Sequence, residues 1–241
     1  MEGREEKKRM KILCLHGFRT SGSFFKKQIS KWDPIFASFD MDFPNGLFPA
    51  GGKSELEGFF PPPYYEWFQF DKDFTEYTNL EECIAYLCDY ITNNGPFDGF
   101  LGFSQGATLS ALLLGYQAQF RDPSICQIAY EKPIKVKSVH FIGDKDWLKL
   151  PSEELATAFD NPLVIRHPQG HVVPRLDVVA VEKLRNWTRE ILESTSDLLN
   201  HECGQVKQQK EAEDMAEEEA KKSAAESTQS VEGQVVEQVL A

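Results

Sequence analysis

One pentapeptide constrains the fold of this chain more than any other feature. Residues 102–106 read Gly-Phe-Ser-Gln-Gly, between an apolar run at 97–101 and a segment rich in Ala and Leu at 105–117. A G-x-S-x-G sequence in this context predicts a sharp strand-to-helix turn, where side chains at the two glycine positions would collide with neighbouring backbone. Such a turn holds the hydroxyl of Ser104 clear of the sheet, at a helix N-terminus.

The rest of the chain alternates between apolar runs of strand length and segments of helical periodicity. Strands are predicted at 11–15, 39–43, 97–104, 136–142 and 163–166, and helices at 21–36, 80–92, 105–117, 151–159 and 176–192. We expect Asn79 to cap the helix that begins at residue 80. The alternation predicts an α/β fold with a mostly parallel sheet and helices on both faces.

A serine hydroxyl is a weak nucleophile near neutral pH and needs a base. In the fold built on this turn the chain order is Ser, acid, His. His171 lies in Gln-Gly-His-Val-Val-Pro, between the last strand and the last helix, and is predicted to be the base. His167 directly follows a strand, and His201 opens the C-terminal tail, so neither is preferred.

The acid is predicted in Gly-Asp-Lys-Asp, residues 143–146, at the end of the strand 136–142. Its carboxylate must reach back to orient the imidazole and stabilise the charged ring. Asp146 is preferred, and Asp144 stays open as an alternative that could instead make a local turn.

An oxyanion hole needs two N–H donors close to the nucleophile. One is predicted from the backbone of Gln105. The other is predicted from Phe18, in the loop after the first strand, with Arg19 as the alternative; Gly17 lets that backbone approach closely. His16 precedes the nucleophile, so we expect it to hold this loop rather than to act as the base.

The segment 44–79 is long, irregular and aromatic, with three consecutive prolines at 61–63 that exclude helix and central strand. Tyr65 and Trp67 are predicted to line a substrate pocket or lid, and ordinary packing of a long loop remains the alternative. Trp147, beside the predicted acid, has the same two interpretations. An apolar, aromatic pocket favours acyl esters over charged substrates.

Charge and composition limit the function further. The net charge is −12, which argues against a general nucleic-acid-binding role. Ten acidic and four basic residues lie from His201 onward, in a Glu-, Ala- and Lys-rich segment that cannot bury a core. We therefore expect a flexible N-terminus at 1–10, a catalytic domain at 11–194 and a disordered acidic tail at 195–241. The tail is expected to aid solubility, with partner binding as the alternative.

Five cysteines, an odd number without a C-x-x-C, form neither a disulfide framework nor a zinc pattern. They are expected to be reduced thiols.

The charged N-terminus does not resemble a signal peptide, and no apolar stretch approaches the length of a membrane span. We expect a soluble protein that binds no membrane, in the cytoplasm or also the nucleus.

Four segments together resemble the FSH family of serine hydrolases: LCLHGF, FDGFLGFSQGA, HFIGDKD and GHVVP. The resemblance spans about Lys11 to Leu192, and the segment SELEGFFPPPYYEWFQF is similar to plant members. It implies the α/β-hydrolase fold, esterase activity on acyl esters, no cofactor, and Ser104, Asp146 and His171 as the catalytic triad. It gives no oligomeric state.

The chain departs from the family pattern at one place. Family members carry another apolar strand after the nucleophile helix, whereas here YQAQ runs straight into FRDPS. We therefore expect the sheet to lack one internal strand. This leaves three alternatives to an active carboxylesterase open: a thioesterase, an inactive or poorly folded variant, and a peptidase or lipase.

Overall fold

The computed structural model describes residues 9–51, 57–72, 76–119 and 133–195, without the side chains of 116–119. The chain divides into two units, Met1–Arg185 and Asn186–Ala241. The strands and sites discussed below belong to the first unit, which ends in helical residues 178–185; in the second, residues 186–195 are helical. No helix in the described ranges is long and apolar enough to cross a bilayer. His201, Cys126, Cys203, most of the predicted tail and most of the predicted N-terminal segment lie outside those ranges.

The larger parallel sheet has three strands in the order β2-β1-β7. These are β1 (Met10–Leu15), β2 (Phe39–Asp42) and β7 (Gly99–Gly102), close to three of the predicted strands. Leu13, Cys14 and Leu15 are fully buried, as expected for a central strand covered on both faces. Leu15 pairs with Gly102, so the loop after β1 begins beside the Gly-Phe-Ser-Gln-Gly turn.

A second parallel sheet pairs β8 (Val139–Gly143) with β9 (Leu163–His167), and α5 (Lys149–Thr157) connects them and packs on β8. Within the described ranges, no ladder of hydrogen bonds joins β7 to β8. The segment in which a family strand is expected, 120–132, lies outside those ranges, so the predicted loss of a strand stays a prediction.

The helix predicted at 21–36 is interrupted. The structure has α1 (Gly22–Ile29), a 3₁₀ turn (Ser30–Trp32) and α2 (Asp33–Phe36). Ser21 caps α1 by accepting the N–H of Phe24 at 3.2 Å. Pro34 lies in the first turn of α2, where its missing N–H is tolerated and where an uninterrupted helix would have lost a hydrogen bond.

Two long helices, α3 (Leu80–Asn94) and α4 (Gln105–Gln119), cover the larger sheet. Asn79 is the N-cap residue of α3, as predicted, and its carbonyl accepts the N–H of Cys83 at 3.1 Å. It has a left-handed backbone with φ of 63°, and its side chain makes no capping hydrogen bond. Its amide instead donates to Oε1 of Gln69 at 2.9 Å, because that side chain is within reach across the neighbouring loop.

Over residues 105–115, two apolar clusters pack on different sides of helix α4. Leu109, Leu112 and Leu113 pack with β1 and α3 in the main core. Ala111 packs on another side with Ile134 and Phe159, next to the β8–β9 sheet. A helix enclosed in this way is apolar around most of its circumference.

The segment 44–79 holds two short antiparallel pairs: β3 (Phe48–Pro49) with β4 (Tyr65–Glu66), and β5 (Gln69–Phe70) with β6 (Tyr77–Thr78). Its residues 52–56 and 73–75 lie outside the described ranges. Trp67 and Phe68, between β4 and β5, are buried in the main core. The described parts of the segment are therefore packed against the main core, as their aromatic content predicts.

Candidate active site

The turn between β7 and α4 presents Ser104 in a left-handed backbone conformation, with φ of 54°. This conformation costs of order 1–3 kcal/mol for a residue other than glycine. A Cβ at Gly102 would lie 2.4 Å from the carbonyl oxygen of Gly106, and one at Gly106 would lie 2.1 Å from that of Leu15. Both flanking glycines are therefore required by close backbone contacts, which confirms the steric argument made from the sequence.

Ser104 is in hydrogen-bond contact with His171, and His171 with Asp146. The Oγ of Ser104 lies 2.9 Å from Nε2 of His171. The Nδ1 of the same ring lies 2.9 Å from Oδ2 of Asp146. Because a carboxylate only accepts, Nδ1 carries the proton and the lone pair of Nε2 faces the serine hydroxyl.

Asp146 and His171 belong to two loops that are joined by backbone hydrogen bonds. The N–H of Asp144 donates to the carbonyl of His167 at 2.8 Å, and that of Lys145 to Gln169 at 3.2 Å. A Cβ at Gly143 would lie 2.6 Å from the carbonyl oxygen of Gln169. The second loop therefore crosses over the end of β8 at a distance that only glycine permits.

The alternative residues have other contacts. Asp144 faces Lys149, with 3.5 Å between its Oδ1 and Nζ. His167 is buried beside Gly143, and burial lowers the pKa of its imidazole, partly opposed by Asp146 and Asp144. Neither residue takes part in the contacts of Ser104 and His171 described above, and the geometry favours Asp146 over Asp144 as the partner of the ring.

The ring of His171 lies between two aromatic side chains. The ring of Phe103 is 5.0 Å from it between centroids, and that of Trp147 is 5.6 Å away on an exposed side chain. Trp147 therefore borders the site, where the sequence predicts it. Phe103 was not predicted, because position two of a G-x-S-x-G sequence carries no fixed chemistry.

The loop after β1 approaches the nucleophile through Gly17. A Cβ at Gly17 would lie 3.5 Å from Cβ of Ser104 and 2.9 Å from the ring of Phe103. The neighbouring Phe18 is partly buried, and its ring lies 4.9 Å from that of Phe70. Phe18 follows Gly17 directly in this loop, and the side chain of the next residue, Arg19, lies 3.6 Å from Glu66.

His16 is fully buried and fixes this loop. Its Nε2 accepts the N–H of Gly46 at 2.9 Å, and its Nδ1 lies 2.7 Å from the carbonyl oxygen of Gly17. Since a ring nitrogen that accepts a backbone N–H is unprotonated, the Nδ1–H donates to Gly17. Burial lowers the pKa of His16 to about 4. The predicted holding role fits these contacts.

The side chain of Gln105 joins the nucleophile turn to the segment 65–70. Its Oε1 accepts the N–H of Trp67 at 3.2 Å, and its Nε2 donates to the carbonyl of Phe68 at 2.8 Å. Gln105 is almost fully buried. The sequence indicated only its backbone, because pairing with a loop 37 residues earlier leaves no local signal.

Tyr65 and Trp67 differ in position. Trp67 is fully buried, with its Nε1 donating to the carbonyl of His16 at 2.9 Å. It is placed as a core residue that supports the loop, and not on a surface that a substrate could reach. Tyr65 is half-buried, and its N–H donates to the carbonyl of Thr20 at 2.7 Å, so it lies beside the loop after β1.

Among the residues that the structure describes, no group of three His, Cys, Asp or Glu side chains is arranged to hold a metal ion.

The site has the arrangement of the α/β-hydrolase class. In this class a serine on a strand-to-helix turn faces a histidine from a later loop, at the carboxyl ends of parallel strands. The chain belongs to the FSH1 serine hydrolase family, whose model matches residues 5–182.

Several relatives are named esterases, and others carry different names, among them a dihydrofolate reductase of Schizosaccharomyces pombe. The chain is 29% identical over 216 residues to esterase C25G4.2 of Caenorhabditis elegans, covering 77% of this chain and 95% of that protein. It is 30% identical over 209 residues to esterase OVCA2 of Danio rerio, covering 68% of this chain and 90% of that protein. It resembles the crystal structure of Zea mays acyl-protein thioesterase 2 with a TM-score of 0.50 at 15% identity, over 78% of this chain and 96% of that one. The last likeness supports the fold alone.

Proposed function

We propose that this chain hydrolyses small acyl esters through an acyl-enzyme, with Ser104 as nucleophile, His171 as general base and acid, and Asp146 as its partner. One observation carries the proposal: the Oγ of Ser104 lies 2.9 Å from Nε2 of a ring whose Nδ1 is bonded to a carboxylate. The strained turn at Ser104 adds support, because backbone strain concentrates at functional sites.

In the first half-reaction, Oγ of Ser104 attacks the ester carbonyl while Nε2 of His171 takes its proton. Asp146 stabilises the imidazolium that forms. The tetrahedral intermediate then collapses: the C–O bond to the alcohol breaks, and His171 returns the proton to the leaving oxygen. In the second half-reaction, water attacks the acyl-enzyme, His171 takes a proton from it, and the acid leaves as Ser104 recovers its hydrogen.

The backbone N–H groups of Phe18 and Gln105 are the proposed donors to the oxyanion. Two observations support them. Gly17 lies against Ser104, and Gln105 directly follows it. Removing one such donor typically costs about 100- to 1000-fold in kcat.

Two other functions use the same groups. A thioester presents the same carbonyl to Ser104, and the contacts described above do not discriminate between an alkoxide and a thiolate leaving group. An inactive variant is the second alternative, because the strand bearing Ser104 and the strands bearing Asp146 and His171 lie in separate hydrogen-bonded sheets within the described ranges.

A fluorophosphonate probe tests the proposal, because it phosphonylates only an activated serine. We expect labelling of the wild type at Ser104, confirmed by peptide mass, and none in Ser104→Ala. The matched control is Ser23→Ala, an exposed serine whose hydroxyl contacts that of Ser21, and this variant should label like the wild type. A folded wild-type protein that never labels would support the inactive alternative. Rates on a matched oxygen ester, thioester and peptide amide then separate the reaction classes.

A further inference from the structure

The 3₁₀ turn after α1 carries two side chains that reach the loop of His171. Nζ of Lys31 donates to the carbonyl of Val173 at 2.5 Å. Nε1 of Trp32 donates to the carbonyl of Pro174 at 3.2 Å. The acceptors are the second and third residues after His171, and the donors lie 142 residues earlier in the chain. No sequence pattern pointed to either donor.

These two hydrogen bonds reach a loop that no described strand ladder connects to Ser104. Backbone hydrogen bonds tie the loop of His171 to the loop of Asp146, so base and acid keep their relative position. Within the described ranges, no such ladder connects them to β7 and Ser104. Side chains that link the two sheets therefore contribute to the distance between Ser104 and His171.

Trp32 contacts the second sheet directly as well. It is almost fully buried, and its ring lies 4.8 Å from that of Phe141 in β8. One residue thus touches both the strand that leads to the acid and the loop that carries the base. Lys31 adds a charge-assisted bond to the same loop, and such bonds are stronger than neutral ones.

We propose that Lys31 and Trp32 are positioning residues that hold the imidazole of His171 within reach of the Ser104 hydroxyl. The inference rests on the proposed esterase function. Displacement by about 1 Å at a reacting group costs about 100-fold in rate. A loop released from the 3₁₀ turn would keep the bond between His171 and Asp146 and lose alignment with Ser104.

The variants are chosen to remove a donor and little else. Lys31→Met keeps the aliphatic stem of an exposed side chain, and Lys31→Arg keeps a charged donor. Trp32→Phe keeps an aromatic ring against Phe141 and removes the N–H. The matched control is Lys26→Met, the same change on an exposed residue of α1 whose described contact is with the ring of Phe43.

With an activated aryl ester, we expect Lys31→Met and Trp32→Phe each to lower kcat about tenfold and to leave KM within about twofold of wild type. A tenfold loss in kcat corresponds to about 1.4 kcal/mol of lost transition-state stabilisation. Lys31→Arg should recover most of the loss, and Lys26→Met should match the wild type. An unchanged kcat in Lys31→Met would overturn the inference, whatever Trp32→Phe does to folding.

A double-mutant cycle distinguishes positioning from a general defect. In a His171→Ala background the residual hydrolysis does not use the imidazole. We expect Lys31→Met to cause no further loss there. An equal loss in both backgrounds would mean that Lys31 acts on something other than His171, and would also overturn the inference. If the wild type fails to label with fluorophosphonate, the proposed function fails instead.

Discussion

Asp146 holds the ring of His171 with both oxygens of its carboxylate: Nδ1 lies 2.9 Å from Oδ2 and 3.1 Å from Oδ1. The carboxylate is fixed in turn, because Oδ1 also accepts the N–H of Leu148 at 2.8 Å. Asp144, two residues earlier, is half exposed and pairs with Lys149. The two aspartates of this tetrapeptide therefore make different contacts.

This difference predicts separate effects of one substitution. Asp146→Asn should lower kcat about 1000- to 10,000-fold, because the amide favours the wrong tautomer of His171. Asp144→Asn should leave kcat within about twofold, since exposed ion pairs are worth little. Steady-state hydrolysis of an aryl ester, with thermal unfolding as a check on folding, measures both. Comparable losses in the two variants would contradict the assignment of Asp146.

The buried side chain of Gln105 predicts a pH-dependent variant. In Gln105→Glu, a protonated carboxyl can still accept from Trp67 and donate to Phe68, whereas the ionised form faces the carbonyl of Phe68 without a proton. Burial raises the pKa of such a carboxyl, so its ionisation falls within an accessible range. We expect the activity of the variant, relative to wild type, to fall as pH rises.

The control for this experiment is Gln105→Met, which has a similar volume and lacks both hydrogen bonds at every pH. Its activity relative to wild type should be low and independent of pH. A Gln105→Glu profile parallel to that of Gln105→Met would show that the two hydrogen bonds do not support the site.

Trp147 and Trp67 predict opposite responses to truncation. Trp147 is 67% exposed beside His171, so Trp147→Ala should raise KM for apolar esters with little change in unfolding temperature. Trp67 is fully buried, so Trp67→Ala should lower the free energy of unfolding by about 3–5 kcal/mol. Urea unfolding and KM across a series of acyl chains test the pair. A KM unaffected by Trp147→Ala would exclude it from the pocket.

His16 makes stability depend on pH. Its pKa is lowered from 6.5 to about 4 in the folded protein, so the unfolded chain binds more protons between these values. Stability is fully present above the unfolded pKa and is lost as pH falls toward the folded one. This single group should remove about 2 kcal/mol between about pH 7 and pH 5.

The comparison is His16→Gln, measured by urea unfolding at both pH values. The variant should be less stable at neutral pH and should lose less on acidification. His140 is also buried with a lowered pKa, so the variant keeps part of the dependence. If His16→Gln and the wild type lose the same free energy of unfolding between the two pH values, His16 does not contribute to the pH dependence.

The local sequence was sufficient to predict those features that depend on neighbouring residues. The strand, the two glycines and the helix around Ser104 follow from one pentapeptide, and the loop positions of Asp146 and His171 follow from strand ends. The break at 30–32 was missed because the prediction of one helix over 21–36 did not consider the backbone hydrogen bond that Pro34 removes from an uninterrupted helix. The side chain of Asn79 makes no capping bond to α3 because a distant partner, Gln69, competes for it.

Contacts between distant segments could not be predicted. Gln105 with Trp67, and Lys31 with Val173, join residues whose proximity depends on the whole fold. Trp67 shows the same limit: an aromatic residue in a Pro-rich loop suits a pocket or a core equally well. Only its bond to the carbonyl of His16 and its complete burial distinguish them.

The division of the reacting groups between two sheets has a consequence for inactivation. Within the described ranges, each sheet keeps its own hydrogen bonds, while the contact between Ser104 and His171 spans the boundary between them. We expect a small opening along that boundary to abolish the proposed hydrolysis and to leave secondary structure intact. Mild urea should therefore abolish ester hydrolysis reversibly at concentrations where the circular dichroism spectrum of the protein is still native.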